Sequence, residues 1–290
     1  MPSQAAIEPA TDPISTAHTP ALDRLREQGS PAGARDVVYR ELDATLGHPG
    51  LPQSATGQAT LLTGRNGADA MDGHYGPWPG PTLQRLLDAG NLFHDGVRAG
   101  GACLANAYPE GYFEARRGRR FRLNSVAYAA VSAGVPQLNA ADHDAGRAVP
   151  SDLQGEHLPR EGGPLGPIGS ARVLSELAAL NAFTLLDVWL TDSLGHMRKL
   201  EEARRLVERI DQAVGYLVDA EDGAVARGAT LIITSDHGNL EDATVATHTR
   251  NPVPLYAVGP GAGVFAGAAG LMDVAPAVRQ VLSGPEEKLS

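Results

Sequence analysis

Carboxylate and imidazole side chains follow two apolar runs of this chain and precede a third. The five residues are Asp192, His196, Asp236, His237 and His248. If the apolar runs are neighbouring strands of one sheet, their ends meet at one edge and bring these side chains together. Aspartate and histidine in this proportion suit Zn²⁺ or Mn²⁺. Five such ligands exceed one closed tetrahedral site, so the sequence predicts two divalent metal ions.

Each of these residues also has a purely structural interpretation. Asp192 alone could be a helix N-cap, with His196 as an ordinary histidine one turn further on. The pair Asp236-His237 could be a turn that ends a strand, and His248 in a threonine-rich loop carries no signal by itself. The coincidence of all these residues at strand ends favours the metal interpretation.

The elements that must position these residues can be inferred from the periodicity of the chain. The continuous apolar run ATLIITSD is typical of a strand that is buried on both faces of a sheet. The other predicted strands cover 101–109, 135–142, 182–190 and 254–260. Helices are predicted over 20–29, 125–134, 171–180, 196–220 and 273–282. A further helix is predicted to begin at Ser54 or Thr56, and another to form the second part of the segment 76–90. This alternation predicts an α/β fold with a mainly parallel sheet flanked by helices.

Composition bounds the class of protein. The chain has 290 residues, of which 42% are hydrophobic, and a formal net charge of −10. This charge argues against general binding to nucleic acid or to anionic membranes. The sequence shows neither an apolar run of membrane-spanning length nor a secretory signal, and Cys103 is the single cysteine. We therefore expect a cytoplasmic protein that needs no disulfide.

A longer motif gives the pattern a family resemblance. The string TSDHGNLEDATVATHTRNPVPL resembles the C-terminal metal-binding signature of the alkaline phosphatase superfamily, most closely its cofactor-independent phosphoglycerate mutase and phosphopentomutase branch. Asp192 and His196, with Gly195 before the histidine, match that family's Asp-x-x-Gly-His element. The segment 53–58 resembles the loop that bears the mutases' phosphorylated residue, and DVAPAV resembles the start of the family's closing helix. The matched segments lie between residues 16 and 282, with gaps.

The resemblance implies an alkaline-phosphatase-like core and a role for each matched residue. It assigns six ligands to two ions: Asp192, His196 and His248 to one, and Asp236, His237 and the Ser54 hydroxyl to the other. A serine hydroxyl becomes a good nucleophile when a divalent metal lowers its pKa. A helix N-terminus at Ser54 would also favour an anion there. Ser54 is the expected nucleophile, Thr56 is its rival, and simple helix capping by Ser54 is compatible with both.

The chain departs from the family's pattern at its start. Family members open with an apolar strand that ends in Asp-Gly, and that aspartate is a metal ligand. No such strand precedes His18 here, and the nearby carboxylates, Glu8 and Asp12, do not follow an apolar run. The resemblance therefore predicts that one ligand and one central strand are missing, which would leave open ladder edges and an apolar gap in the sheet. Either the start codon is misassigned or the protein is a degraded relative.

The expected function is two-metal phosphoryl transfer on a small phosphorylated metabolite through a phosphoseryl intermediate. We expect one domain over 1–290, with a core at 16–108 and 171–290 and a small lid at 109–170. A mutase must exclude water from its intermediate, and this lid is short for that purpose. Hydrolysis is therefore favoured over a mutase reaction. Arg65 and Asn66 are candidates for phosphate contact. The alternatives are an inactive metal-binding relative and a phosphodiesterase of the same superfamily.

Overall fold

A computed structural model describes residues 12–29, 36–156, 158 and 163–284. The strands are β1 Val37–Leu42, β2 Ala102–Leu104, β3 Ala107–Tyr108, β4 Leu138–Asn139, β5 Phe183–Leu185, β6 Leu231–Thr234 and β7 Val253–Val258. The helices are α1 Pro13–Thr16, α2 Pro20–Gln28, α3 Ser54–Thr63, α4 Gly67–Met71, α5 Pro81–Asp88, α6 Leu92–Ala99, α7 Glu110–Arg116, α8 Ser125–Ser132, α9 Ala140–Asp144, α10 Gly166–Leu180, α11 Leu190–Met197, α12 Leu200–Asp219 and α13 Val274–Leu282. Among these helices none is long and apolar enough to cross a bilayer.

The strands pair in both orientations. β7 lies between β1 and β6 and is antiparallel to both, with Val258 opposite Val37 on one side and Leu231 on the other. β2 pairs with β5, and β3 pairs with β4, in parallel. The predicted α/β class is confirmed, and the pairing within the sheets is partly mixed, because β7 is antiparallel to both of its neighbours. The difference arises because β7 runs back antiparallel to β6, after a loop rather than a crossover helix.

The two larger ladders share one core without being joined to each other. Ile232 of β6 and Leu185 of β5 pack on the same apolar cluster, while Leu231 and Leu186 pack on a second cluster. Among the described residues no ladder connects β5 to β6, and every residue of both strands is only partly buried.

Helix α3 packs in the larger core and approaches the loop after β6 closely. Ala55, Ala59 and Leu62 on this helix are almost fully buried. A Cβ atom at Gly57 would lie 2.5 Å from the carbonyl oxygen of Asp236, closer than real Cβ atoms come. Glycine at this position therefore allows the helix to lie against the Asp236 loop.

Other predicted elements differ in extent. The strand expected over 182–190 ends at Leu185, and α11 begins at Leu190. The helix expected over 196–220 is two helices, because Arg198 adopts a left-handed conformation with φ of 54° that ends α11. Helix α8, within the expected lid, contributes buried alanines to the main core and so belongs to it.

Helix α2 is held by a carboxylate from another helix. Thr19, at its N-cap, makes no side-chain bond to the free backbone N–H groups of the first turn. Asp211 of α12, which is 3% exposed, accepts hydrogen bonds from the backbone N–H groups of Ala21 at 3.3 Å and Leu22 at 2.8 Å. This long-range cap substitutes for the usual local one.

We expect Asp211→Ala to lower the free energy of unfolding by about 1–3 kcal/mol, since it leaves two buried donors without a partner. Asp219→Ala, on the same helix, is the matched control, because its ion pair with Arg24 is exposed and worth less than about 1 kcal/mol. Urea unfolding of both variants measures the difference. Equal losses would show that Asp211 does not act as a cap.

Candidate metal centre

The structure gathers the predicted ligands from four separate segments of the chain. Helix α11 carries Asp192 and His196, the turn after β6 carries Asp236 and His237, the loop before β7 carries His248, and α3 begins at Ser54. Each element ends or begins at this place because its apolar part is held in the core. Packing of the core, rather than local structure, therefore brings these residues together from distant parts of the sequence.

Three ligand atoms form a small triangle. Oδ1 of Asp192 lies 3.3 Å from Nε2 of His196 and 3.3 Å from Nε2 of His248, and the two nitrogens are 3.1 Å apart. Ligand atoms of a tetrahedral Zn²⁺ with bonds of about 2.0–2.1 Å are separated by roughly 3.3 Å, so the triangle has the dimensions of one face of such a site. These are the three residues predicted for the first ion.

Backbone carbonyls orient both imidazoles of this triangle. Nδ1 of His196 lies 2.9 Å from the carbonyl oxygen of Ala246, and Nδ1 of His248 lies 2.6 Å from that of Pro52. A carbonyl only accepts, so Nδ1 of each ring carries a proton and Nε2 of each ring faces the triangle, where an unprotonated Nε2 presents its lone pair. Two lone pairs and a carboxylate oxygen in contact repel one another unless a cation lies between them. The donor set therefore fits a divalent metal.

The second predicted group adjoins the first. Nε2 of His237 lies 2.9 Å from Oγ of Ser54, 3.6 Å from Oδ2 of Asp236 and 4.0 Å from Oδ1 of Asp192. The rings of His237 and His248 stack with centroids 3.7 Å apart. Asp192, His237 and His248 together form a cluster whose ligand atoms all lie within 4.8 Å of one another.

Orphaned polar atoms support the fit of an ion at the second group. Oδ2 of Asp236 and Nδ1 of His237 are buried and have no hydrogen-bond partner among the described residues. Burial raises the pKa of the Asp236 carboxyl, and the charge of His237 and a hydrogen bond from the backbone offset this effect only in part. A carboxylate oxygen in this situation is satisfied by a cation.

In the first group, unlike the second, the pKa of the carboxyl is lowered. Burial opposes ionisation of Asp192, but the hydrogen bond with His248 and the charges of the neighbouring imidazoles lower the pKa of its carboxyl. Burial opposes protonation of His248, yet Asp192 and the Pro52 carbonyl raise the pKa of its imidazole. A proton here takes the place that a metal would fill, so protons and metal compete for this site.

A supporting network that the sequence analysis missed holds Asp192 and the loop before β7. Asn239 donates from Nδ2 to Oδ1 of Asp192 at 2.6 Å, and a Cβ atom at Gly195 would overlap the Asn239 amide. Glu241 accepts from the backbone N–H of Asn239 at 2.7 Å and from the Thr249 hydroxyl. The sequence offered a signal for this network, because polar residues that adjoin a metal motif commonly hydrogen-bond to its ligands and orient them.

Asp187 is a second residue that the sequence analysis passed over. Its Oδ2 accepts from Nδ2 of Asn124 at 2.9 Å, and its backbone exchanges two hydrogen bonds with the Asn106 side chain. Burial, followed by the nearby charges of Asp236 and Asp192, raises the pKa of Asp187 to about 7. Asp187 falls inside the strand predicted over 182–190, and only the earlier end of β5 at Leu185 places it at a strand end; an acidic residue within an apolar run was the available signal.

Ser54 and its rival occupy different surroundings. Ser54 is the first residue of α3, and its hydroxyl faces His237. Thr56 is fully buried, and its hydroxyl donates to the carbonyl of Gln53 at 3.0 Å. Thr56 therefore has no access to a substrate, whereas Ser54 has.

An open recess of about 200 Å³ lies beside Ser54. Arg65 and Asn66 do not line it. Asn66 instead caps α4 and donates to the carbonyl of Leu46 at 2.9 Å. Asp12 caps α1 through bonds from Ile14 and Ser15, and Glu8 lies outside the described residues.

Comparison with known proteins agrees with the metal-ligand geometry of this cluster. A family model described as the Metalloenzyme superfamily matches residues 170–283. The 2,3-bisphosphoglycerate-independent phosphoglycerate mutase of Desulforudis audaxviator is 38% identical over 102 residues, which cover 33% of this chain and 19% of that enzyme. The enzyme of the same name from Clostridioides difficile is 37% identical over 117 residues, covering 36% and 22%. The aligned part is thus about a fifth of the length of these relatives.

Solved structures share the fold over nearly the whole chain. The PH0037 protein from Pyrococcus horikoshii matches with a TM-score of 0.54 at 17% identity, covering 94% of this chain and 90% of that one. The alkaline phosphatase from the Antarctic bacterium TAB5 matches with a TM-score of 0.51 at 12% identity, covering 92% and 95%. At these identities the similarity establishes the fold.

We expect Asp192→Asn to weaken binding of the first Zn²⁺ or Mn²⁺ by more than about tenfold, because it removes the charge from the triangle. Isothermal titration of the metal-free protein, with metal analysis after dialysis, measures the affinity and the number of ions. His18→Gln is the control, since His18 is exposed and outside the cluster. Unchanged affinity in Asp192→Asn would exclude the triangle as the binding site.

Asp187 gives the metal-free protein a pH-dependent stability. Its folded pKa of about 7 lies above the ordinary value of 3.8, so between these pH values the folded state holds a proton that the unfolded state releases. Stability contributed by this proton is complete below pH of about 4 and is lost as pH rises to about 7, at no more than about 1.4 kcal/mol per pH unit.

Asp187→Asn should therefore be more stable than the parent at pH 8 and equal to it at pH 4. Thermal unfolding in the presence of a chelator, across this range, tests the expectation. The exposed substitution Asp72→Asn is the control. A parent and an Asp187→Asn variant with the same pH profile would contradict it.

Proposed function

We propose, on the premise that this chain is a member of the alkaline phosphatase superfamily near its cofactor-independent phosphoglycerate mutase branch, that it catalyses metal-dependent phosphoryl transfer. We further propose that the reaction is hydrolysis of a small phosphate ester through a phosphoserine at Ser54. The observation that carries the proposal is the Ser54 hydroxyl, which lies 2.9 Å from His237 at the edge of the ligand cluster. The class of reaction is inferred from the relatives, and the recess beside Ser54 has space for a substrate.

The two ions would be held by the two groups already described. Asp192, His196 and His248 would hold one ion. Asp236, His237 and the Ser54 hydroxyl would hold the other. When bound, a divalent pair lowers the pKa of the serine hydroxyl and neutralises charge on the transferring phosphoryl group. Zn²⁺ and Mn²⁺ both suit this set of nitrogen and oxygen ligands.

The chain itself positions and exposes the nucleophile. Ser54 begins a ten-residue helix, so the positive end of the helix dipole favours the negative charge of a phosphoserine, although the Thr56 N–H of the first turn already donates to the Tyr75 carbonyl at 3.1 Å. Its Oγ forms the bond to phosphorus while the bond from phosphorus to the leaving alcohol breaks. The serine proton leaves to solvent, and the alcohol takes a proton from water. A water molecule then releases phosphate from Ser54.

The open recess favours hydrolysis over a mutase reaction. A mutase must keep water away from its phosphoserine until the second hydroxyl attacks. Ser54 lines a recess that is open to solvent, and α8 of the expected lid is part of the core. Water therefore has access to the intermediate. The competing proposal, an inactive metal-binding relative, gains support from the unjoined β5 and β6 edges.

Ser54→Ala should abolish metal-dependent phosphate release from p-nitrophenyl phosphate, because it removes the attacking oxygen. Thr56→Val should retain release, since its hydroxyl is buried away from the recess. Mass spectrometry of the acid-quenched parent should find phosphate on Ser54. Release by Ser54→Ala at the parent's rate would exclude Ser54 as the nucleophile. A parent that binds Mn²⁺ or Zn²⁺ and releases no phosphate would favour the inactive relative.

A further inference from the structure

The carboxylate of Glu241 joins two segments that carry predicted metal ligands. Its Oε2 accepts a hydrogen bond from the backbone N–H of Asn239 at 2.7 Å, in the turn after β6. Its Oε1 accepts from the Thr249 hydroxyl and, at 3.0 Å, from Nδ2 of Asn251, in the segment that leads into β7. One side chain therefore fixes the turn after β6 to the segment before β7.

The backbones of these two segments are also in direct contact at this carboxylate. The N–H of Thr249 donates to the carbonyl of Gly238 at 2.9 Å, and the two residues form an antiparallel bridge. A Cβ atom at Gly238 would overlap Oγ1 of Thr249 and lie 2.6 Å from Oε1 of Glu241, closer than real Cβ atoms come. Glycine at this position therefore leaves the space that the hydroxyl and the carboxylate occupy.

Ligands of both metal groups are attached to the joined segments. In the first group, His248 directly precedes Thr249, and Oδ1 of Asp192 accepts from Nδ2 of Asn239 at 2.6 Å. In the second group, His237 lies two residues before Asn239 in the same turn. Loss of the carboxylate that joins these segments would therefore free ligands of both groups to move.

We infer that Glu241 is a positioning residue that holds the ligands of both groups in their relative positions, so that its loss weakens the binding of both ions. Its oxygens are engaged by three donors from the chain, so it acts through the ligands rather than as one of them. Residues that orient metal ligands in this way commonly contribute about 10–100-fold to metal affinity. The inference rests on the two-ion centre of the proposed function and adds a residue that determines its geometry.

The test compares Glu241→Ala with Glu241→Gln by isothermal titration of the metal-free full chain with Zn²⁺. Glu241→Ala should weaken the binding of both ions by about 10–100-fold. Glu241→Gln should restore at least about tenfold of this loss. The reason is that its amide oxygen can accept from the Asn239 N–H while its amide nitrogen donates to the Thr249 hydroxyl. A Glu241→Gln variant as weak as Glu241→Ala would overturn the positioning role.

The neighbouring carboxylate supplies the matched control. Asp242 accepts from the backbone N–H of Thr244 at 2.9 Å and from the hydroxyl of the same residue, within its own loop. Asp242→Ala should therefore bind both ions as the parent does. An equal loss of affinity in Asp242→Ala and Glu241→Ala would show that any change in this loop has the same effect, and would overturn the inference.

The two groups can be titrated separately. Asp236→Asn leaves the first group with all its ligands, and His196→Gln leaves the second group with all of its own. Adding Glu241→Ala should weaken the remaining ion in both backgrounds. A loss in one background only would contradict a role shared by the two groups.

Co²⁺ gives a readout that a general loss of stability would not change. The visible absorption of bound Co²⁺ reports the coordination geometry. At saturating Co²⁺, Glu241→Ala should alter this spectrum and Glu241→Gln should restore it, whereas identical spectra for the parent and Glu241→Ala would contradict the inference. If Glu241→Ala does not fold, Thr249→Val removes one donor to the same carboxylate and should weaken both ions; unchanged binding there would overturn the inference.

Metal binding separates this inference from the proposed function, because no turnover is needed to measure it. A parent that binds two ions and releases no phosphate would end the phosphatase proposal, while weaker binding of both ions by Glu241→Ala would still support the inference. A parent that releases phosphate, with a Glu241→Ala variant that binds both ions equally well, would overturn the inference alone.

Discussion

The site depends on one unfavourable contact, the approach of two imidazole lone pairs to a carboxylate oxygen. His196, His248 and Asp192 bring these three atoms to within about 3.3 Å of one another, and carbonyls fix the rings so that neither can turn away. Without a cation the three atoms repel one another. A proton relieves this in the metal-free chain through the hydrogen bond between His248 and Asp192, and a divalent ion would relieve it for all three atoms at once.

The rest of the structure holds that contact in place. Gly57 lets helix α3 lie against the Asp236 loop, and Gly195 leaves space for the Asn239 amide that fixes Asp192. The carboxylates of Asp187, Asp192 and Asp236 are close enough to influence one another's ionisation. Apolar packing from the core therefore supplies the free energy that keeps like charges together, and the polar network decides where each ligand atom lies.

The sequence predicts the ligands better than their surroundings. Asp192, His237 and His248 lie in motifs that resemble a metal-binding signature, and the structure brings their ligand atoms within 4.8 Å of one another. The roles of Asn239 and Asp187 depend on contacts between distant segments, which periodicity does not encode. The same limit explains the mixed strand pairing, since direction is set by how β7 returns to the sheet rather than by its residues.

The unjoined strands β5 and β6 have a consequence for the behaviour of the protein in solution. Each has backbone N–H and C=O groups along one side that no neighbouring ladder among the described residues engages. Such a border is a template on which extended peptide from another molecule can be added. Within the described part of the chain, these edges are therefore the places where an added strand, from this molecule or from another, can pair.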